Sequence, residues 1–248
     1  MATIKIEEKE NIAILRLDNG TKNAVNLAMV EDISAAVKTI QQDYNGMVLA
    51  GGDTFFCIGL SLPELTTLDR PGMTDFWYKF NQLTLDLYTL SVPTACAIAG
   101  HAPAVGTIWA LACDYRFAAA GKKVIGLNEI NLGLPTPFLV DLMLRQAVSD
   151  QVANDLLYGG VFVTPEQAQE FNLIHEVTLQ GEVEERALSK LEPLTALSKR
   201  ALAAIKAVRT DDIRLRFEQD FKVKHEIFLD CWFSKETQEI LVKAAEKF

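Results

Sequence analysis

The sequence is short of the residues that mark specialised chemistry. Its four cysteines, Cys57, Cys96, Cys113 and Cys231, are scattered, with no CxxC pair and no histidine at ligand spacing. That excludes a disulfide framework and a zinc site, so no metal is expected and the thiols read as small buried hydrophobes in a reducing compartment. Positive charge is also scarce: 24 Lys and Arg stand against 33 Asp and Glu, a formal net charge of −9. A nucleic-acid partner needs clustered cations, and none is expected here. The recurring Lys199, Arg200, Lys206 and Arg209 suit a solvated helix face. No apolar run reaches membrane length, and "MATIKIEEKENIAILRL" has neither a signal-peptide core nor transit-peptide character, so no membrane partner and a cytoplasmic location are expected. "AAEKF" at the other end is no sorting signal. GxSxG, GxxxxGK[ST] and GxGxxG are all missing, which weakens hydrolase-triad and nucleotide-loop readings.

What is present is apolar material, 49% of the chain, ample for a large core. Alternation in "TIKIEE" and "NIAILRL" predicts two paired strands joined near Lys9 and Glu10. Asn26 can cap a helix whose apolar stripe is Met29, Val30, Ile33, Val37 and Ile40. "GMVLAGG" and "PTACAIAG" read as buried strands, and the segment between them as a long helix with Phe76, Phe80, Leu83, Leu87 and Leu90 facing inward. "HAPAVGTIWALAC" is a helix too apolar for a surface. "DYRFAAA" and "KKVIG" continue the strands, and from Pro137 the chain is almost wholly helical. Thr164-Pro165-Glu166-Gln167 has the form of a capping box, "LIHEV" is one more strand, and three helices are expected over Val183 to Lys247. The alternation predicts an α/β layer domain with a helical appendage, in one structural unit. Phe228, Trp232 and Phe233 give the last helices an apolar face that suits docking on the core or on a neighbouring subunit.

Two stretches, "FFCIGLSL" and "IAGHAPAVGTIWAL", share one pattern: apolar strand, glycine-containing turn, helix start. Unpaired amides at such a turn suit an anion or a developing oxyanion, although strand-to-helix turns are common in α/β proteins and need carry no site. In "KVIGLNEINLGLPTPF" a single carboxylate, Glu129, sits among apolar residues, and no Lys, Arg or His lies between Val124 and Arg145. An apolar pocket would raise its pKa and suit it to proton transfer; a turn in which it accepts backbone N–H bonds is the other reading, and pattern alone favours the turn. His101, His175 and His225 have no acidic or nucleophilic partner in motif and read as satisfied structural histidines.

The order and spacing of "FFCIGLSLPEL", "AIAGHAPAVGTIWALACDYRFAAAGKKVIGLNEINLGL" and "TPEQAQEFNLIHEV" resemble the crotonase (enoyl-CoA hydratase/isomerase) superfamily, and the likeness extends to "FSKETQEIL". Within it the chain is most similar to the mitochondrial-type Δ3,Δ2-enoyl-CoA isomerases, through the "GL" after the first turn, "CDYR" and "IGLNE…LG…PF". The resemblance implies an α/β fold with a crotonase-like ββα spiral core over 1–190 and a C-terminal helical trimerisation region over 191–248, assembled as a homotrimer or hexamer. It implies an acyl-CoA thioester as substrate and no cofactor. By position, Glu129 is the catalytic base and the backbone N–H groups of Leu60 and Val105 are the oxyanion donors. Cys57, Ile58, Gly59 and the loop holding Lys22 and Ala24 would lie along the CoA moiety, Gly106 completes the binding set, and Trp77 and Phe80 bear on the acyl group.

Departures from the family pattern narrow the reaction. Ile108 stands where hydratases carry a second glutamate, Ala104-Val105-Gly106 replaces a Gly-Gly-Gly run, Ser61 replaces a frequent Asp, and Asn172 a usual Gly. Hydration needs two proton-transfer groups, whereas a 1,3-proton shift from C2 to C4 needs one. The expectation is therefore isomerisation of a 3-enoyl-CoA to a 2-enoyl-CoA through a dienolate held by the two amides. Two other readings stand beside it. One is a different crotonase reaction (hydration, decarboxylation or C–C hydrolysis) drawing a further group from Asp75, Tyr78 or His101. The other is non-catalytic acyl-CoA binding with Val105 blocking the oxyanion position.

Overall fold

The computed structural model describes residues 2–246. In chain order the elements are β1 (Ile4–Lys9), β2 (Ile12–Leu17), α1 (Leu27–Asp43), β3 (Gly46–Ala50), α2 (Leu62–Leu65), α3 (Arg70–Thr89), β4 (Thr94–Ile98), β5 (Ala102–Pro103), α4 (Val105–Leu111), β6 (Tyr115–Ala119) and β7 (Ile125–Gly126). A 3-10 turn, Glu129–Leu132, leads to α5 (Phe138–Ala147), α6 (Asp150–Gly159), β8 (Phe162–Val163), α7 (Pro165–Glu170), β9 (Glu176–Thr178), α8 (Val183–Thr195), α9 (Lys199–Trp232) and α10 (Lys235–Ala245). The terminal helices thus end at Ala245, and Lys247, to which they were expected to run, lies outside the described residues.

The main sheet has the order β1-β2-β3-β4-β6-β9, antiparallel only at β1–β2. The hairpin turns through Glu10 and Asn11, both at positive φ, in register with Lys9 opposite Ile12. β2 is apolar on both faces because it is covered on both: Ile12 and Ile14 meet α8 through Leu188 and Leu191, while Ala13 and Leu15 face the larger core under α1 and α3. A smaller sheet, β5-β7-β8, stands beside α4.

The helices follow from the apolar periodicity. Asn26 Oδ1 accepts the Met29 N–H at 3.0 Å, and all five expected stripe residues of α1 are buried. Thr164 and Gln167 form the full capping box. α9 is 34 residues long, and its buried positions Lys206, Thr210, Ile213, Phe217, His225, Phe228 and Trp232, with half-buried Phe221 between Phe217 and His225, recur every three or four residues along one face. That face docks on α3 and α5 of the same chain. Phe228 stacks on Trp77 with ring centroids 3.6 Å apart, so the aromatic end of α9 finds its partner within the chain.

Two sequence expectations are corrected. Lys206 does not share the solvated face: it is 7% exposed and donates to Asp114 at 2.8 Å and to the Val92 carbonyl at 3.1 Å. Such a burial is tolerable because both charges are paired and hydrogen-bonded. His225 is not fully satisfied, since its Nδ1 is buried without a partner. At His101 and His175 the Nδ1 atoms do have partners, accepting the N–H groups of Val124 and Arg116. All four cysteines are free, and among the described residues no group of His, Cys, Asp or Glu could hold a metal and no helix is long and apolar enough to cross a membrane.

Candidate active site

A cavity of about 360 Å³ opens between the loop before α2, the start of α4, the 3-10 turn and α3. It is closed from the other side by Phe228 of α9 and Ala244 of α10. α10 is held in place by Thr237, whose hydroxyl donates to the Gly133 carbonyl at 3.1 Å.

Glu129 lines this cavity at the first position of the 3-10 turn. It is 8% exposed, and its Oε2 is buried with no hydrogen-bond partner. Burial pushes its pKa up from the usual carboxylate value to about 7, against a small opposing effect of its own backbone N–H. Among the described residues it is the one titratable side chain on the cavity wall, and Ile108 lines the same wall as a buried hydrocarbon. Asp75, Tyr78 and His101 are not on it. Asp75 pairs with Lys79 at 2.9 Å, Tyr78 is exposed against Phe221, and His101 rests on Phe55.

The two amides singled out in the sequence reach the same cavity. Leu60 is bridged to Val25 in a parallel arrangement in which the Val25 N–H donates to the Gly59 carbonyl at 2.9 Å and the Ser61 N–H to the Val25 carbonyl at 2.8 Å. The Leu60 N–H takes no part in that pairing, and among the described residues it meets no acceptor. Gly59, at φ +120°, makes the bend that permits this. On the other loop, Ala104 donates to the Gly126 carbonyl at 2.8 Å, and the helical ladder begins only with the Ile108 N–H to the Ala104 carbonyl at 2.9 Å. The Val105 N–H, at the first helical position, is left without an acceptor among the described residues.

Of the remaining expected site residues, Ile58, Gly59, Trp77 and Phe80 line the cavity and Lys22, Ala24, Cys57 and Gly106 do not. Lys22 and Ala24 lie on the segment beside it, where the Ile58 N–H donates to the Lys22 carbonyl at 3.0 Å. Cys57 is fully buried and its thiol is pushed up to about 12, which removes it as a nucleophile at neutral pH. Gly106 packs against the Cys57 carbonyl so closely that a Cβ would come within 2.8 Å of it. The sequence reading missed Phe162, Phe228 and Ala244 as wall residues, because they reach the cavity from distant helices and a short strand. Phe228 carried a signal as an aromatic needing a partner; Phe162 and Ala244 carried none.

Strain collects beside the Val105 amide. Ala104 sits at φ +48°, ψ −112°, a region costly for any residue with a Cβ. Ala104→Gly is expected to raise stability by about 1 kcal/mol, the relief of strain less the chain entropy glycine adds. A denaturant midpoint that rises with unchanged slope would show it; a fall would mean that the alanine methyl, which packs against Gly59, matters more.

A sequence profile described as enoyl-CoA hydratase/isomerase matches residues 7–248. The chain is 27% identical over 201 residues to the human protein named enoyl-CoA delta isomerase 1, mitochondrial, covering 79% of this chain and 67% of that protein. It is 29% identical over 203 residues to a probable enoyl-CoA hydratase of Mycobacterium tuberculosis, covering 81% of this chain and 77% of the other. Among solved structures, human mitochondrial delta3-delta2-enoyl-CoA isomerase superposes with a TM-score of 0.95 at 24% identity, covering 99% of this chain and 97% of that one. An enoyl-CoA hydratase from Bacillus halodurans superposes at 0.89 and 20% identity, covering 97% and 99%. The α/β crotonase fold, with its mixed sheet and C-terminal helices, is therefore the fold of this chain.

Proposed function

The chain belongs to the enoyl-CoA hydratase/isomerase family, and on that premise we propose that it shifts the double bond of a 3-enoyl-CoA to the 2-position by a single-base 1,3-proton transfer. The observation that carries this reading is the composition of the cavity wall: one titratable side chain, Glu129, and a hydrocarbon, Ile108, where a second acid would be needed to hydrate. Ionised Glu129 takes a proton from C2, next to the thioester carbonyl. The negative charge spreads onto the carbonyl oxygen, where the Leu60 and Val105 N–H groups stabilise it. The protonated acid then returns its proton at C4, leaving the conjugated 2-enoyl thioester and the carboxylate as it began. A pKa near 7 allows both transfers at neutral pH, and the lack of a cationic partner preserves it.

The test is to give the purified protein trans-3-hexenoyl-CoA and crotonyl-CoA in parallel. Conversion of the first to the conjugated thioester is the expected result. Rapid hydration of the second with no isomerisation of the first would overturn the reading. We also place the chain in a homotrimer or hexamer. In support, Ile205 and Val208 stand 69% and 81% exposed on one side of α9, the kind of surface another subunit covers, and sedimentation would show the mass.

The acyl end of the cavity has a definable limit. Trp77 and Phe228 form a stacked wall between it and an adjoining, mainly apolar cavity of about 390 Å³, which they also line. Phe228→Leu should thin that wall and shift kcat/KM toward ten- and twelve-carbon 3-enoyl-CoAs relative to the six-carbon substrate by about tenfold, the scale of one methylene in an apolar pocket. Unchanged chain-length preference would show that the acyl chain leaves by another route.

A further inference from the structure

A second cavity, of about 640 Å³, lies between the ends of α3, α5, α7 and β6 and the side of α9, and it shares no lining residue with the first. Its wall is polar and positive. Arg116, Arg209 and Asp114 line it with Gln146, Gln169 and His175. Asp114 is the one carboxylate on this wall among the described residues, and its two oxygens are already committed. Oδ2 accepts from Lys206 Nζ at 2.8 Å and from the Thr94 N–H at 2.8 Å, and Oδ1 accepts from Arg209 Nη2 at 2.6 Å.

Arg116 is left over. It is 7% exposed, yet its guanidinium donates only to carbonyls, Nε to Leu173 at 2.7 Å and Nη1 to Cys113 at 2.9 Å. Among the described residues its Nη2 meets no acceptor and no carboxylate pairs with it. Three cations (Arg116, Lys206 and Arg209) thus lie about one carboxylate at a half-open cavity, on a chain whose overall charge is −9. His175 senses the excess: burial first, then the charges of Arg116 and Lys190, hold it down to about 4, so it is neutral and adds nothing to the balance. A buried guanidinium without a counter-ion is costly, and its planar fork matches an oxyanion with two adjacent acceptors.

We propose that this cavity binds a small oxyanion of the phosphate or sulfate class, held by Arg116 Nη2 and the Arg209 guanidinium, with the amides of Gln146 and Gln169 as neutral donors. The site is independent of the isomerase reading, because no group on its wall takes part in that reaction.

The test is titration of the full-length protein with inorganic phosphate, followed by calorimetry and by thermal unfolding against chloride at matched ionic strength. Saturable heat and a saturable rise in Tm are expected. Gln146→Glu sets a carboxylate on the wall while keeping an acceptor for the Tyr88 hydroxyl, which donates to Gln146. It should weaken phosphate binding by about tenfold or more. Arg209→Gln, at a half-exposed side chain, should do the same and serves if the first variant fails to fold. Adenosine 5′-monophosphate as a parallel titrant separates free phosphate from phosphate carried on a larger ligand. Absence of saturable binding, or equal binding by wild type and both variants, would overturn the proposal. So would a response to acetate as strong as that to phosphate, which would assign the cavity to a carboxylate such as an acidic side chain of a second copy.

Discussion

Glu129→Gln is expected to lower kcat for trans-3-hexenoyl-CoA by about a thousandfold or more, while acyl-CoA binding and the fold survive. The magnitude follows from the wall of the cavity: positioned proton transfer is worth ~10²–10⁴ in rate, and no other titratable side chain there can take over. Glutamine keeps the shape of the side chain and removes only its basicity. The wild-type pH profile should carry the same signature. Proton abstraction needs the carboxylate, so kcat/KM should rise with pH and level off above about 7, where burial has moved this group. The stability linkage has the opposite sign. Below the ordinary carboxylate range Glu129 is protonated in both folded and unfolded chains, and no difference arises. Between there and about pH 7 the unfolded chain gives up the proton and the folded chain keeps it, so wild-type stability falls relative to the Gln variant as pH rises. The gap should reach about 3 kcal/mol and stay constant above pH 7. Parallel unfolding curves from pH 4.5 to 8 would reveal it. Equal pH dependence in the two proteins would mean that Glu129 is not held protonated near neutrality, and full activity of the variant would remove it from the chemistry.

What could be read from the residues alone divides by the range of the forces involved. The β1–β2 hairpin, the Asn26 cap, the Thr164 box and the stripe of α1 are set within a few residues, and pattern was enough for each. Glu129 was conspicuous because an unpaired acid among apolar residues needs a reason. Its actual surroundings were not legible: the lid of the cavity comes from Phe228 and Ala244, more than ninety residues downstream by number, and only packing brings them there. Lys206 failed for the same cause. Its helical spacing resembles that of its exposed neighbours, and the partner that draws it inside, Asp114, lies on the strand side of the fold. For Leu60 and Val105 the strand–glycine–helix pattern marked the two loops, the family resemblance picked out the individual amides, and both residues line the cavity. Lys22, Ala24, Cys57 and Gly106, expected from the same resemblance to bind the CoA moiety or the substrate, are not on the wall of this cavity.

Val105→Pro isolates the remaining element of the mechanism. Val105 is the first residue of α4, where a missing N–H breaks no intrahelical bond, and proline is tolerated at that position. Its ring is close in bulk to the buried valine side chain it replaces. The substitution therefore deletes one candidate oxyanion donor without breaking the ladder, and the added load of the ring on Ala104, already at φ +48°, ψ −112°, is read separately as a change in stability. If the Val105 amide stabilises the dienolate, kcat should fall by about 10²–10³, with a much smaller change in the affinity for a saturated acyl-CoA that forms no enolate. The readout that separates chemistry from damage is exchange of the C2 proton of acyl-CoA with deuterated water. This half-reaction needs Glu129 and the oxyanion hole but no double-bond shift, and it should fall in step with kcat. A variant that binds acyl-CoA normally, keeps its helical content and retains full turnover would show that the valine amide does not serve the oxygen. The strained Ala104 beside it sharpens the contrast: Ala104→Gly leaves the Val105 N–H in place and should move stability, whereas Val105→Pro should move the rate.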